Sequence, residues 1–211
     1  MYDHTNPLIT HLSIQSSNTE QARDLRKKYN KPVIYDECQY EGNTDEGWGN
    51  ITGQEMVNRF WIATVNGGFA GHSEMYLNIK PVTTNDNRDE ILWAFQGGVL
   101  DGTSPMRIKF LREIVETAPG QLKLKPKFFG RWFQNYSAIG YKDMYFLTYL
   151  NMTQPCFLVI DLPKEKNYKV EIIDTWNMEI TPLEGTFSGE SLINLPERTM
   201  TAIRITQIIG N

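Results

Sequence analysis

The stretch K-P-V-I-Y-D-E-C-Q-Y-E-G-N at residues 31–43 sets the strongest constraint on how this chain can fold. Val33, Ile34 and Tyr35 follow a proline and run into Asp36 and Glu37, so the segment reads as a short buried strand with two carboxylates at its C-terminal end. Upstream, residues 7–14 form an apolar, β-branched run without helical period, which predicts a strand. Asn18 and Thr19 then offer an N-cap, and Ala22, Leu25 and Tyr29 give the apolar face of a short helix ending near Asn30. Strand, helix, strand is a βαβ unit. In parallel α/β folds, chemistry sits at the C-terminal ends of the strands, which is where Glu37 falls.

The same alternation continues downstream. Thr52 and Glu55 have capping-box spacing, and Met56, Phe60 and Ala63 carry a helical face to about Asn66 before Gly67 and Gly68 stop it. Residues 69–72 read as a third short strand, again ending in polar groups, His72, Ser73 and Glu74. A loop rich in Thr, Asn and Asp leads to Ile91, Leu92 and Trp93. Ser104 and Pro105 then open a helix by cap and first-turn proline, with Ile108, Leu111, Ile114 and Val115 on one face.

At Ala118-Pro119-Gly120 the pattern changes. Helical periods give way to strands separated by turns, at residues 144–151, 157–162, 168–175, near Thr186, and 201–208. Short strands at this spacing predict an antiparallel β-sandwich over residues 121–211, with a domain boundary at about residue 120. The fold class is therefore α/β plus all-β.

Composition removes several function classes. With 22% charged residues, a net charge of −4 and no long run of Lys or Arg, nothing points to nucleic acid or an anionic membrane. No apolar run reaches membrane-helix length, and Met1 is followed by Tyr2, Asp3 and His4 rather than by an export signal. Cys38 and Cys156 give neither a disulfide framework nor a metal motif. Neither a phosphate loop nor a G-x-S-x-G elbow is present. No cofactor is implied, and His11, His72 and Glu74 lack the spacing of a zinc site.

Three strands with open apolar edges make a small parallel sheet, and such sheets are normally covered on both faces. The expectation is a partial (β/α)8 barrel of about three β/α units, residues 1–120, whose earlier strands lie outside the chain. Its open edge, near residues 1–15, invites self-association.

The motifs at 31–43, then E-M-V-N-R-F-W, G-G-F-A-G-H-S-E-M-Y-L, I-L-W-A-F-Q-G-G and S-P-M-R-I-K-F-L-R, with Y-K-V-E-I-I-D-T-W-N-M and L-P-E-R-T-M-T-A-I-R-I near the end, resemble the last third of a family of bacterial candidate glycoside hydrolases. Those proteins have TIM barrels of the clan A type followed by a small β-sandwich. The resemblance covers nearly the whole chain. It implies that the three strands correspond to barrel strands six, seven and eight, and that Glu37 stands where clan A enzymes carry the nucleophile. The family's fourth-strand general acid/base has no counterpart here.

A retaining glycosidase needs two carboxyl groups roughly 5 Å apart, one to attack the anomeric carbon and one to protonate the leaving oxygen. Glu37 is the candidate catalytic residue, against the plainer reading of a solvated carboxylate at a strand end. Asp36, by the period of two, points toward the helical layer and is structural. Glu41 is the second candidate carboxylate, although a loop Glu more often binds backbone or a sugar hydroxyl. Tyr40 and Trp48 could stack on a sugar ring or simply cover the barrel end. His11, His72 and Glu74 could bind substrate hydroxyls at the same mouth, though a lone strand His is more often a core group. Trp93 could form an aromatic floor or belong to the core. The leading function is a fragment of a retaining glycoside hydrolase acting on an oligo- or polysaccharide and inactive alone. The alternatives are a non-catalytic carbohydrate-binding or interaction protein using the sandwich, and a small α/β enzyme of another class.

Overall fold

A computed structural model describes residues 3–76, 100–126 and 136–209. Its first half contains β1 (Leu12–Gln15), a 3-10 turn (Thr19–Gln21), α1 (Ala22–Tyr29), β2 (Val33–Glu37), β3 (Glu41–Gly42), α2 (Gly53–Val65), β4 (Phe69–Ala70), β5 (Glu74–Met75) and α3 (Ser104–Glu116). The second half contains β6 (Lys123–Leu124), β7 (Ala138–Tyr141), β8 (Tyr145–Tyr149), β9 (Phe157–Asp161), β10 (Tyr168–Asp174), β11 (Glu179–Pro182), β12 (Glu190–Asn194) and β13 (Thr201–Gln207).

The βαβ reading holds in outline. β1, β2 and β4 form a parallel three-stranded sheet in the order β1-β2-β4, so among the described residues β1 lies at an edge. The first strand is shorter than its apolar run suggests. Residues 7–11 are turn and coil, and pairing begins at Leu12 opposite Val33. α1 ends where expected, on Asn30 in the left-handed conformation that Asn tolerates best after Gly. Thr52 caps α2 by accepting the Glu55 amide, but Glu55 turns its carboxylate to Arg59 at 2.7 Å instead of closing the capping box.

The register of β1 on β2 slips at the carboxylates. Ile14 faces Tyr35, yet Gln15 faces Glu37, so Asp36 is the extra residue of a bulge. Alternation is lost there, and Asp36 and Glu37 are both exposed. Asp36 accepts a hydrogen bond from Ser13 Oγ on β1 and does not turn toward the helices, which corrects the expected orientation.

The second half is antiparallel. Six strands run in the order β11-β10-β13-β8-β7-β6, while β9 and β12 form a separate two-stranded ribbon. Leu158, Ile160 and Ile193 of the ribbon share a core with Phe146, Val170, Ile172, Ile203 and Ile205 of the sheet. The other face of the sheet, through Leu147, Tyr149, Ile173 and Ala202, packs into one core with Trp61, Val65 and Ile114 of α2 and α3 and with Leu12, Val33 and Tyr35 of the parallel sheet. The change of sequence pattern near residue 120 falls between α3 and β6, and the apolar core passes across it. In this half β6, β7, β11 and β12 lie outside the expected strands. β11 is exposed throughout and carries no alternation to read.

Candidate functional site

The residues predicted to act together separate into an open group and a buried one. The open group stands at the C-terminal end of β2. Glu37 is exposed there, near enough to Tyr40 for its charge to act on the phenol. Burial and the charge of Glu37 push the Tyr40 phenol up to about 12, so at neutral pH it is protonated and able to donate. Tyr40 also meets the Trp48 ring edge to face, with centroids 6.2 Å apart, and its amide donates to the Trp48 carbonyl at 2.8 Å. Trp48 is 42% exposed, leaving an apolar ring at the rim beside Glu37. Arg59 steadies the base of this loop by donating to the Cys38 carbonyl and to Gln39 Oε1.

The buried group is centred on Glu41, which is 1% exposed. β3 pairs parallel with β5 so that Glu41 faces Glu74 across the ladder. Glu41 Oε1 accepts the Thr103 amide at 2.7 Å, the Thr103 hydroxyl at 2.8 Å and the Tyr76 hydroxyl at 3.1 Å; Oε2 accepts the Ser104 amide at 2.9 Å. Thr103, the N-cap of α3, makes no cap hydrogen bond with its own side chain. Glu41 takes over that role from a distant loop, placing a carboxylate on the free N–H groups and the positive end of the helix. Glu74 Oε2 accepts the Asp101 and Gly102 amides at 2.8 and 2.9 Å. Gly102 permits this approach, because a Cβ there would lie 2.5 Å from Glu74 Oε1 and 2.6 Å from Glu41 Oε2.

Burial by itself would raise the Glu41 carboxyl, but the donors from Ser104 and Thr103 outweigh it and hold the group below its ordinary value. His72 completes the cluster, with Nε2 3.1 Å from Ser104 Oγ and 3.7 Å from Glu74 Oε1. Burial lowers the His72 pKa, against the pull of Glu74 and Glu41, and keeps the ring neutral at pH 7.

One donor atom from each of Glu41, His72 and Glu74 lies within 4.8 Å of the others, close enough in principle for a divalent cation. The hydrogen bonds already made argue against that use. Glu41 Oε1 already accepts three donors and Oε2 a fourth, whereas Glu74 Oε1 is buried without a hydrogen-bond partner among the described residues.

His11 is exposed, bonded to Thr10 Oγ1 at 3.0 Å, and precedes β1, at the end of the parallel sheet opposite Glu37. The structure therefore brings Glu37, Tyr40 and Trp48 together at one rim and Glu41, His72 and Glu74 together beneath α3, with His11 in neither group. Trp93 lies outside the described residues. Thr103, Ser104 and Tyr76 were not anticipated. Tyr76 had a signal, since His72, Glu74 and Tyr76 recur at every second position.

Over 98% of its length the chain is similar to the crystal structure of a "putative glycoside hydrolase" from Bacteroides vulgatus ATCC 8482, at 30% identity and a TM-score of 0.79, and it spans 43% of that protein. It also resembles a glycoside hydrolase family 5 protein of the same organism, at 17% identity and a TM-score of 0.62, over 89% of this chain and 45% of the other. A third structure, described as a glycoside hydrolase, matches at 15% identity and a TM-score of 0.60 over 92% of this chain and 47% of its own. The last two show a shared fold alone. The chain thus spans less than half the length of the solved proteins it matches. Residues 132–206 match a family model described as a domain of unknown function, DUF5605. No curated protein matches. The chain is related in structure to glycoside hydrolases.

Proposed function

We propose that this chain is the C-terminal part of a retaining glycoside hydrolase, contributing the last three β/α units of a TIM barrel and a β-sandwich, with Glu37 as nucleophile. The observation that carries the reading is the Glu37 carboxylate, open to solvent at the C-terminal end of a parallel strand, with the Tyr40 phenol within reach of its charge and the exposed Trp48 ring packed on Tyr40. The 30% identical neighbour supplies the reaction class.

Glu37 attacks the anomeric carbon as the bond to the leaving oxygen breaks and a general acid protonates that oxygen. Water then cleaves the glycosyl ester, and the same acid, now a base, takes its proton. Tyr40 steadies the carboxylate between the two steps, and Trp48 offers a face to a sugar ring. Glu41 and Glu74 are buried and committed to backbone donors, so neither suits the general acid. That group is assigned to barrel strands outside these 211 residues, and the same strands would cover the edge of β1. Left uncovered, that edge pairs with a second copy of the chain.

The chain alone should not hydrolyse aryl glycosides above background, whereas a protein in which it follows the remaining barrel strands should. Turnover by the isolated chain would overturn this division of the site.

A further inference from the structure

Gln39 stands between Glu37 and Tyr40 in the open group, and its backbone lies in the left-handed region, with φ of 69°. A long side chain rarely takes that conformation, and it persists only where the surroundings fix it. Here it turns the chain back at the end of β2, so that Tyr40 returns to within reach of the Glu37 charge instead of running on along the strand. Glycine or asparagine would accept the same turn more readily. What Gln39 adds is its side chain. Nε2 donates to the Gly47 carbonyl at 2.9 Å, and Oε1 accepts from Arg59 Nη1.

These two bonds tie the turn to firm structure on one side and to the rim on the other. Arg59, its side chain 11% exposed, donates from Nε to Glu55 Oε1 at 2.7 Å and gives the same Nη1 to the Cys38 carbonyl. Its neighbour on α2, Asn58, donates to Glu55 Oε2 at 3.4 Å and accepts the hydroxyl of Tyr149, a buried residue of β8, at 3.0 Å. A row of polar contacts therefore runs from the antiparallel sheet through α2 to Gln39. On the other side, Gly47 precedes Trp48, whose carbonyl accepts the Tyr40 amide at 2.8 Å. Asp45, Glu46 and Gly47 are exposed, and a Cβ at Gly47 would meet no atom within 4 Å. No packing from the body of the protein fixes Gly47, so the bond from Gln39 is what reaches it from outside its own turn.

We propose that Gln39 is a positioning residue: its left-handed backbone sets Tyr40 beside Glu37, and its side chain pins Gly47 so that the Trp48 ring stands at the rim before a sugar arrives. A wall ordered in advance leaves less freedom to be lost on binding. Gln39 itself touches no substrate. Use of the wall in the reaction rests on the glycoside-hydrolase reading of Glu37, while its being formed in advance does not.

The test begins with the intact chain and needs no turnover. Gln39→Gly suits the left-handed turn and removes both side-chain bonds. Gln39→Asn also tolerates the turn, but its amide is one carbon too short to span Gly47 and Arg59 together. In both variants the Tyr40 amide should exchange its hydrogen at least about tenfold faster than in the parent, while amides of β8 and β10 keep the parent's rates. The Trp48 indole resonance should shift with it. In a protein in which the chain follows the remaining barrel strands, Gln39→Gly should raise KM for an aryl glycoside by about tenfold and change kcat less. Unchanged Tyr40 exchange, or an acceleration spread evenly over the molecule, would overturn the inference. So would faster exchange with KM unmoved in a protein that Glu37→Ala inactivates, since the nucleophile would then act without the wall. Near-normal turnover by Glu37→Ala would instead remove the glycoside-hydrolase reading, and the exchange rates alone would still decide whether Gln39 holds the wall.

Discussion

Thr103 gives both its backbone amide and its hydroxyl to Glu41 Oε1, at 2.7 and 2.8 Å, so the start of α3 is capped by a side chain 62 positions earlier in the chain. A carboxylate in that position joins the loop after β2 to the helix that covers it. Glu41→Ala should therefore act on stability, costing about 2–4 kcal/mol, because it strips charge-assisted bonds and leaves buried N–H groups unpaired. Glu41→Gln should cost less. The pH dependence follows from the depressed carboxyl: its contribution is present above the unfolded value of 4.5 and is lost as pH falls through the lower folded value. Urea unfolding across this acid range should show a smaller decline for Glu41→Gln than for the parent.

His72 titrates in a different window. Its folded pKa lies below 6.5, so between that value and 6.5 the unfolded chain binds the proton that the folded chain refuses. Stability should rise with pH through this interval and then level off. The groups facing the ring are Glu74, Glu41, Ser104 and Phe60. His72→Gln keeps a hydrogen-bonding group toward Ser104 and removes the titration, and should flatten the profile between pH 6.5 and the acid limb. An unchanged slope would assign the effect to another group.

Much of this architecture is visible in the residues. The 3.6-residue periods of α1, α2 and α3, the Asn30 stop and the apolar strands β2, β8, β9, β10 and β13 are local signals, and each element forms close to where its own residues place it. The site is less legible because its defining contacts join distant parts of the chain. Nothing near Glu41 signals that its carboxylate meets Thr103 and Ser104, and Ser104 reads as the helix cap although the cap is Thr103. Asp36 was misplaced for another reason: the period-two rule assumes an unbroken ladder, and the bulge between Ile14 and Gln15 breaks it. His11 reads as a strand residue because the apolar run begins at Pro7, whereas sheet pairing begins at Leu12.

The core that crosses residue 120 makes a mechanical prediction. Trp61 on α2 is fully buried, with its ring centroid 5.4 Å from that of Tyr149 on β8. Trp61→Ala should cost about 3–5 kcal/mol and lower the urea midpoint. Helical circular dichroism and tyrosine fluorescence should still change together, since both halves lean on the same residue. Two separated transitions would contradict a shared core.

The assignment of Glu37 is tested most directly by chemical rescue. In a protein in which this chain follows the remaining barrel strands, Glu37→Ala should lower turnover of an aryl glycoside by about 10³-fold or more. Added azide should enter the space left by the carboxylate and restore turnover, releasing a glycosyl azide of inverted anomeric configuration. Glu41→Ala should melt earlier and gain nothing from azide. Near-normal turnover by Glu37→Ala, or azide rescue of Glu41→Ala in its place, would contradict the account and move the nucleophile to the buried carboxylate.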